Sequence, residues 1–208
     1  SKAIQVALSK NVDGIIICPT QKNEDSVEFL KRVGLPFVLI GRRYEDAAVN
    51  YVICNDELGG YQATKHLLQM GHQRILMLHG PMYISSAAER LAGYVRAHEE
   101  LGIPVQIQER GISFSAIFAF SDMLAWEAWS CLRKRGIRVP EECSIIGFDN
   151  IQSVLPLPFN LASIAAAKEK MAPTAVELLL ASIQNRENTP RHILLPTRVV
   201  EGETVRAV

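Results

Sequence analysis

What this sequence of 208 residues has little of narrows its function before any motif is read. It has no excess of charge, because 22 basic and 22 acidic side chains cancel. A surface that grips DNA phosphates carries a basic excess, so these residues by themselves are a poor DNA reader. Cys18, Cys54, Cys131 and Cys143 show no CxxC spacing, and each lies in or beside an apolar segment. Such thiols pack as small hydrophobes in a reducing compartment. No apolar run approaches the ~18–20 residues of a membrane span, and SKAIQVALSKNVDG lacks the apolar core and cleavage site of a signal peptide. The expected location is the cytoplasm, with no membrane partner. His66, His72, His79, His98 and His192 form no HExxH or other metal spacing. GxSxG, GxxxxGK[ST] and GxGxxG are all missing, so neither catalysis nor a metal or other cofactor is expected. Asp122 and Asp149 imitate a paired-carboxylate site, but Asp122 falls in a first helical turn, where an acid complements the macrodipole.

What is present is apolar residue, 48 % of the chain, ample for a core, and it is arranged as alternating strand and helix. Ala116–Asn150 shows the pattern best. AIFAF and CSIIGF are apolar runs of strand type. Between them Leu124, Ala125, Ala128, Trp129 and Leu132 share one helical face. Ser121 is placed to cap that helix, Lys134 and Arg135 suit its last turn, and Gly136 supplies the stop. The unit reads β-α-β, hence a parallel sheet. Ligands of open α/β sheets bind beyond the carboxyl ends of the strands, where Ser121–Asp122 and Asp149–Asn150 stand.

Elsewhere GIIICP, PFVLIG (Pro36–Gly41), Val49–Cys54 and RILMLHG read as strands. Glu24–Val33, Asp56–Met70, Glu89–Leu101 and Lys168–Ser182 read as helices, the last with Pro173 tolerable only in its first turn. Gly59 and Gly60 mark either the close approach of another backbone or a late helix start. Pro81–Ala87 reads as a polar loop, and RHILLPTRVVEGETV as two strands of hairpin or edge type. One junction fails. Only ERGISFS separates a strand at Val105–Ile107 from Ala116, and parallel neighbours need a crossover of a dozen residues or more. Either the two strands are antiparallel, or a strand and helix are omitted there.

GGYQATKHLLQMGHQRILMLHGP, then ERLAGY, then IFAFSDMLAWEAWSCLRKRGIRVPEECSIIGFDN resemble the ligand-binding core of the LacI/GalR family of transcriptional regulators. VDGIIICP and PFVLIGR match that family's earlier strands, and the likeness runs from about Val12 to Leu195. It implies an α/β fold of two Rossmann-like lobes with parallel sheets, similar to periplasmic binding proteins and joined by three crossovers. Residues 1–54 plus 167–185 would form an incomplete N-terminal lobe, and 55–165 plus 190–208 the C-terminal lobe. Crossings would fall near Asn55, Ala166 and Asn185. Family members carry further elements before Ser1 and between Ile107 and Ala116, which accounts for the failed junction.

The resemblance implies a small effector, such as a sugar, sugar derivative or nucleoside, held between the lobes of a homodimeric, repressor-type regulator. Operator DNA would be read by a helix-turn-helix headpiece outside this sequence. A periplasmic sugar-binding protein is the alternative on the same fold. Carried over by position, Arg90 opens the RLAGY helix and offers five fixed donors to vicinal hydroxyls or a carboxylate. Asp149 is its complement. Ser121, Ser86 (with Ser85), Phe120, Gly41 and Lys168 complete the expected effector contacts. Gly41 stands where many relatives have Asp, and Ser121 where they often have Asn. Trp126 and Leu157, within the Leu155–Phe159 passage, are expected at a dimer surface.

Overall fold

The computed structural model describes residues 2–20, 25–44, 48–105, 113–184 and 189–208. Two compact units are present. One comprises Ser1–Cys54, Tyr83–Ser86 and Ala167–Pro196, and the other Asn55–Met82, Ala87–Ala166 and Thr197–Val208.

The first unit holds strands β1 (Ile15–Ile17), β2 (Phe37–Ile40) and β3 (Asn50–Cys54) and helices α1 (Lys2–Ser9) and α2 (Asp25–Val33). Helix α6 (Met171–Ile183) and strand β8 (His192–Leu195) join them late in the chain. The sheet runs β1-β2-β3-β8, parallel throughout. Alternation along β2 sends Phe37 and Leu39 to one face, with Val27 and Leu30 of α2, and Val38 to the other, with Ala175 and Leu178 of α6. Both faces are therefore covered, which is why FVLI carries no polar residue. Pro173 is the third residue of α6, where its missing N–H breaks no helical bond.

The second unit holds β4 (Ile75–Leu78), β5 (Ala116–Ala119), β6 (Ser144–Phe148), β7 (Ala162–Ala166) and β9 (Thr197–Val200). Its sheet runs in the order β4-β5-β6-β7-β9, parallel except for the last pair. Helices α3 (Asp56–Gln69) and α4 (Ser85–Glu100) pack on one face, where Leu67, Tyr94 and Ala97 meet Phe118, Ile146, Phe148 and Ile164. Helix α5 (Asp122–Lys134) covers the other face, and all five residues predicted for its buried side line that core. Gly136 ends it in the left-handed region at φ +77°.

Three sequence expectations change. Of the hairpin and edge readings of β8 and β9 only the edge one holds: β8 is an edge strand parallel to β3 in the first sheet, and β9 an edge strand antiparallel to β7 in the second. Leu195 and Ile193 join the α6 core while Val199 joins the α3–α4 core, so the apolar side chains either side of Pro196 belong to different interiors. Helix α4 starts at Ser85, which turns the expected polar loop at 85–87 into a first helical turn and places Arg90 in the second. Val105 is not in a strand, and Ile107 lies outside the described residues. Strands β4 and β5 are themselves parallel neighbours, with α4 in the connection between them.

Gly60 and Gly93 are where α3 and α4 meet backbone to backbone. A Cβ on Gly60 would stand 2.3 Å from the Arg90 carbonyl oxygen, and one on Gly93 would stand 2.0 Å from that of Glu57. Real Cβ atoms never come that close, so both positions exclude every side chain. Of the paired glycines, Gly60 fits the close approach of another backbone, whereas a Cβ on Gly59 would meet the Phe148 ring at 2.6 Å.

Candidate functional site

The strand ends of the second unit carry the site. Arg90, only 7 % exposed, projects from α4. Its Nε and one terminal nitrogen both donate to Asp56 Oδ1, at 2.8 and 2.7 Å, and its other terminal nitrogen donates to the carbonyl of Phe120. The guanidinium carbon lies 3.5 Å from the centroid of the Phe148 ring and 4.5 Å from that of Phe120. Asp56 is 3 % exposed, so this is a desolvated ion pair backed by two π faces. Breaking such a pair from one side costs about 3–5 kcal/mol.

Asp149 stands beyond β6, with its Oδ1 3.8 Å from an Arg90 terminal nitrogen. That is an ionic approach, too long for a hydrogen bond. The predicted convergence of Arg90 and Asp149 is therefore present in the geometry. The turn bearing Asp149 has φ +107° there and +49° at Asn150, conformations that cost non-glycine residues of order 1–3 kcal/mol. Buried Asp122 holds it: Oδ2 accepts from the Ile151 backbone N–H at 2.8 Å, and Oδ1 from Ser163 Oγ at 2.6 Å. Ser163 Oγ in turn accepts from the Asn150 N–H at 3.1 Å. Asp122 does more than balance a helix dipole; it fixes the neighbouring turn.

Of the other candidates in this unit, Ser121 caps α5, its Oγ accepting from the Leu124 N–H at 3.3 Å. Phe120 follows β5, with its ring beside the Arg90 guanidinium and against Gly80. Trp126 on α5 is 36 % exposed, and Leu157 packs partly buried against the α5 core. Gly41, Ser86 and Lys168 belong to the first unit. Gly41 adopts φ +70° after β2, Ser86 is buried in the first turn of α4, and Lys168 is exposed on a 3-10 turn before α6. Reading from sequence missed Asp56, Phe148 and Ser163. An acid in a first helical turn looks like dipole compensation until its partner is seen, and the other two read as ordinary strand residues.

Among the described residues no group of three His, Cys, Asp or Glu side chains is placed to hold a metal ion, and no helix is long and apolar enough to cross a membrane. A buried cation and an adjacent carboxylate thus stand together beyond the ends of parallel strands in an α/β domain. The family description "periplasmic binding proteins and sugar binding domain of LacI family" matches residues 1–111, and "periplasmic binding protein-like domain" matches residues 64–205. The HTH-type transcriptional repressor PurR of Vibrio atlanticus is 30 % identical, across 99 % of this chain and 68 % of its own length. That alignment extends over 226 residues, more than this chain contains. The structure of the transcriptional regulator CelR in complex with cellobiose superposes with TM-score 0.86 at 26 % identity, covering 98 % of this chain and 69 % of CelR. A LacI family transcriptional regulator from Enterococcus faecium with bound ribose gives 0.86 at 27 %, covering 100 % of this chain and 84 % of that one.

The chain belongs to the LacI family of transcriptional regulators, as a ligand-sensing domain of the periplasmic-binding-protein-like fold. These relatives are regulators, not enzymes, and they favour that reading over a periplasmic solute-binding protein.

Proposed function

We propose that this domain senses a small sugar-like effector, and that Arg90 and Asp149 carry the recognition. The observation behind this is the guanidinium and carboxylate 3.8 Å apart at the strand ends of a LacI-family domain. Hydrogen bonds to charged groups contribute about 1.5–3 kcal/mol each. Two that form in only one conformational state approach the ~5.5 kcal/mol needed for full switching. Ser121, Ser86, Gly41 and Lys168 are further proposed contacts. Trp126 and Leu157 are proposed to lie on a homodimer surface, which the exposure of Trp126 supports. The effector then alters operator affinity, through a DNA-reading headpiece and in the cytoplasm, by its difference in affinity for the two states. The two compact units are proposed to be the lobes; Tyr83–Ser86 belongs to the first of them, and the last passage falls at Pro196–Thr197 rather than near Asn185.

Asp149→Asn tests this, since it removes the acceptor charge and keeps the shape. A thermal-shift screen identifies a ligand, and calorimetry on that ligand should show affinity reduced by about tenfold or more, with the circular dichroism spectrum unchanged. Equal affinity in variant and wild type removes Asp149 from the site.

A further inference from the structure

We infer that the site of the second unit selects an uncharged, hydroxyl-bearing ligand and rejects its phosphorylated or carboxylated counterparts. This rests on the assignment of Arg90 and Asp149 to the effector site. An arginine in a binding site ordinarily advertises for an anion, but here its charge is already matched. Asp56 takes two of its five donors at 2.7–2.8 Å, and the carbonyl of Phe120 takes a third. The rings of Phe148 and Phe120 flank the guanidinium, and the edge it turns toward Asp149 meets a second carboxylate. Among these residues one cation thus stands against Asp56, Asp149 and the Asp122 under the same turn.

The other customary seat for an anion, a helix N-terminus, is closed at α5 and at α3. Ser121 caps α5 from its own side chain, and Asp122 puts a carboxylate in the first turn. At the start of α3, Asn55 Oδ1 accepts from the Leu58 N–H, with Asp56 and Glu57 following. Beside Arg90 and Asp149 a phosphate meets three carboxylates against one guanidinium, whereas a hydroxyl can donate to Asp149 and accept from the remaining Arg90 donors.

The test uses the whole protein and a panel of neutral sugars, sugar alcohols and nucleosides, ribose and cellobiose included, each paired with its phosphate ester or acid. Thermal shift ranks the panel, and calorimetry measures the strongest pair on wild type, Asp149→Asn and Asp56→Asn. The neutral member should bind at least about tenfold more tightly than its charged partner. Asp149→Asn should shrink that ratio, and so should Asp56→Asn, which releases the Arg90 charge; circular dichroism confirms that each variant is folded. Stabilisation confined to charged members, or a ratio the same in wild type and Asp149→Asn, overturns the inference. The site assignment fails separately: a neutral ligand bound equally by wild type and Asp149→Asn sits elsewhere, whereas an anion that binds tightly and gains affinity in Asp56→Asn leaves the site standing and sinks only the selectivity.

Discussion

The two units share one plan, helices packed on a mainly parallel sheet, yet their interiors differ in kind. Among the described residues, the only buried polar or charged side chain of the first unit is Ser86, at the start of α4. Its sheet is filled by Val27, Leu30, Leu39, Val38 and Val52. The second unit buries Asp56, Arg90, Asp122, Ser163, His72, Ser144, His98 and others, nearly all with partners. His72, for instance, lies between Ser115 Oγ at 2.9 Å and Ser144 Oγ at 3.0 Å. Apolar filling is forgiving, because shape alone has to match. A buried polar network is not, because each member lost leaves another unsatisfied. The first interior thus holds a fold together, while the second also fixes the position of chemical groups.

The largest break in that comparison should come from Arg90→Ala. It strands Asp56 as a buried charge, costing about 3–5 kcal/mol, so the variant reports stability rather than binding. Leu39→Ala in the first unit removes only apolar contacts and should cost about 2–5 kcal/mol. The sharper contrast is rescue: adding Asp56→Asn to Arg90→Ala should recover part of the loss in urea denaturation, and additive losses would show that the pair is not coupled.

Gly93→Ala should cost about 1–3 kcal/mol, measured as the urea midpoint, although alanine favours a helix by about 1 kcal/mol. The new methyl would meet the Glu57 carbonyl and the Tyr61 backbone nitrogen, and neither can yield without the helices parting. A neutral or stabilising substitution would show that the helix pair has slack.

The smallest effect is mild acid. Burial holds His66, His72 and His98, all in the second unit, below the ordinary histidine value of 6.5. Their unfolded forms therefore take up protons at a higher pH than the folded ones. The stability they contribute is complete above about pH 6.5 and is lost as pH falls below it. The urea midpoint should drop between about pH 7 and pH 5; a midpoint that rises or stays level contradicts this.

Much of this was legible in the sequence, and the exceptions have physical reasons. Periodicity located α5 and its buried face, because a 3.6-residue repeat survives any tertiary context. Loop chemistry was a weaker guide. Ser85 and Ser86 looked like a polar turn because serine favours turns and caps alike, and tertiary packing extended the helix over them. The strands around Pro196 looked like a hairpin because nothing local says that adjacent strands enter different sheets. Motif and position singled out Arg90 and Asp149, which do lie close together, but not Asp56, because its meaning depends on a partner 34 residues away.

The bare contact between Gly60 and the Arg90 main chain has one more consequence. Side chains in a packed interface can trade rotamers and absorb a small shift, but two abutting peptide units cannot. The origin from which the arginine reaches out is thus set by hard atoms rather than by soft ones. On the proposed assignment of Arg90 to the effector site, the ruler against which the effector is measured begins at a position with no side chain at all.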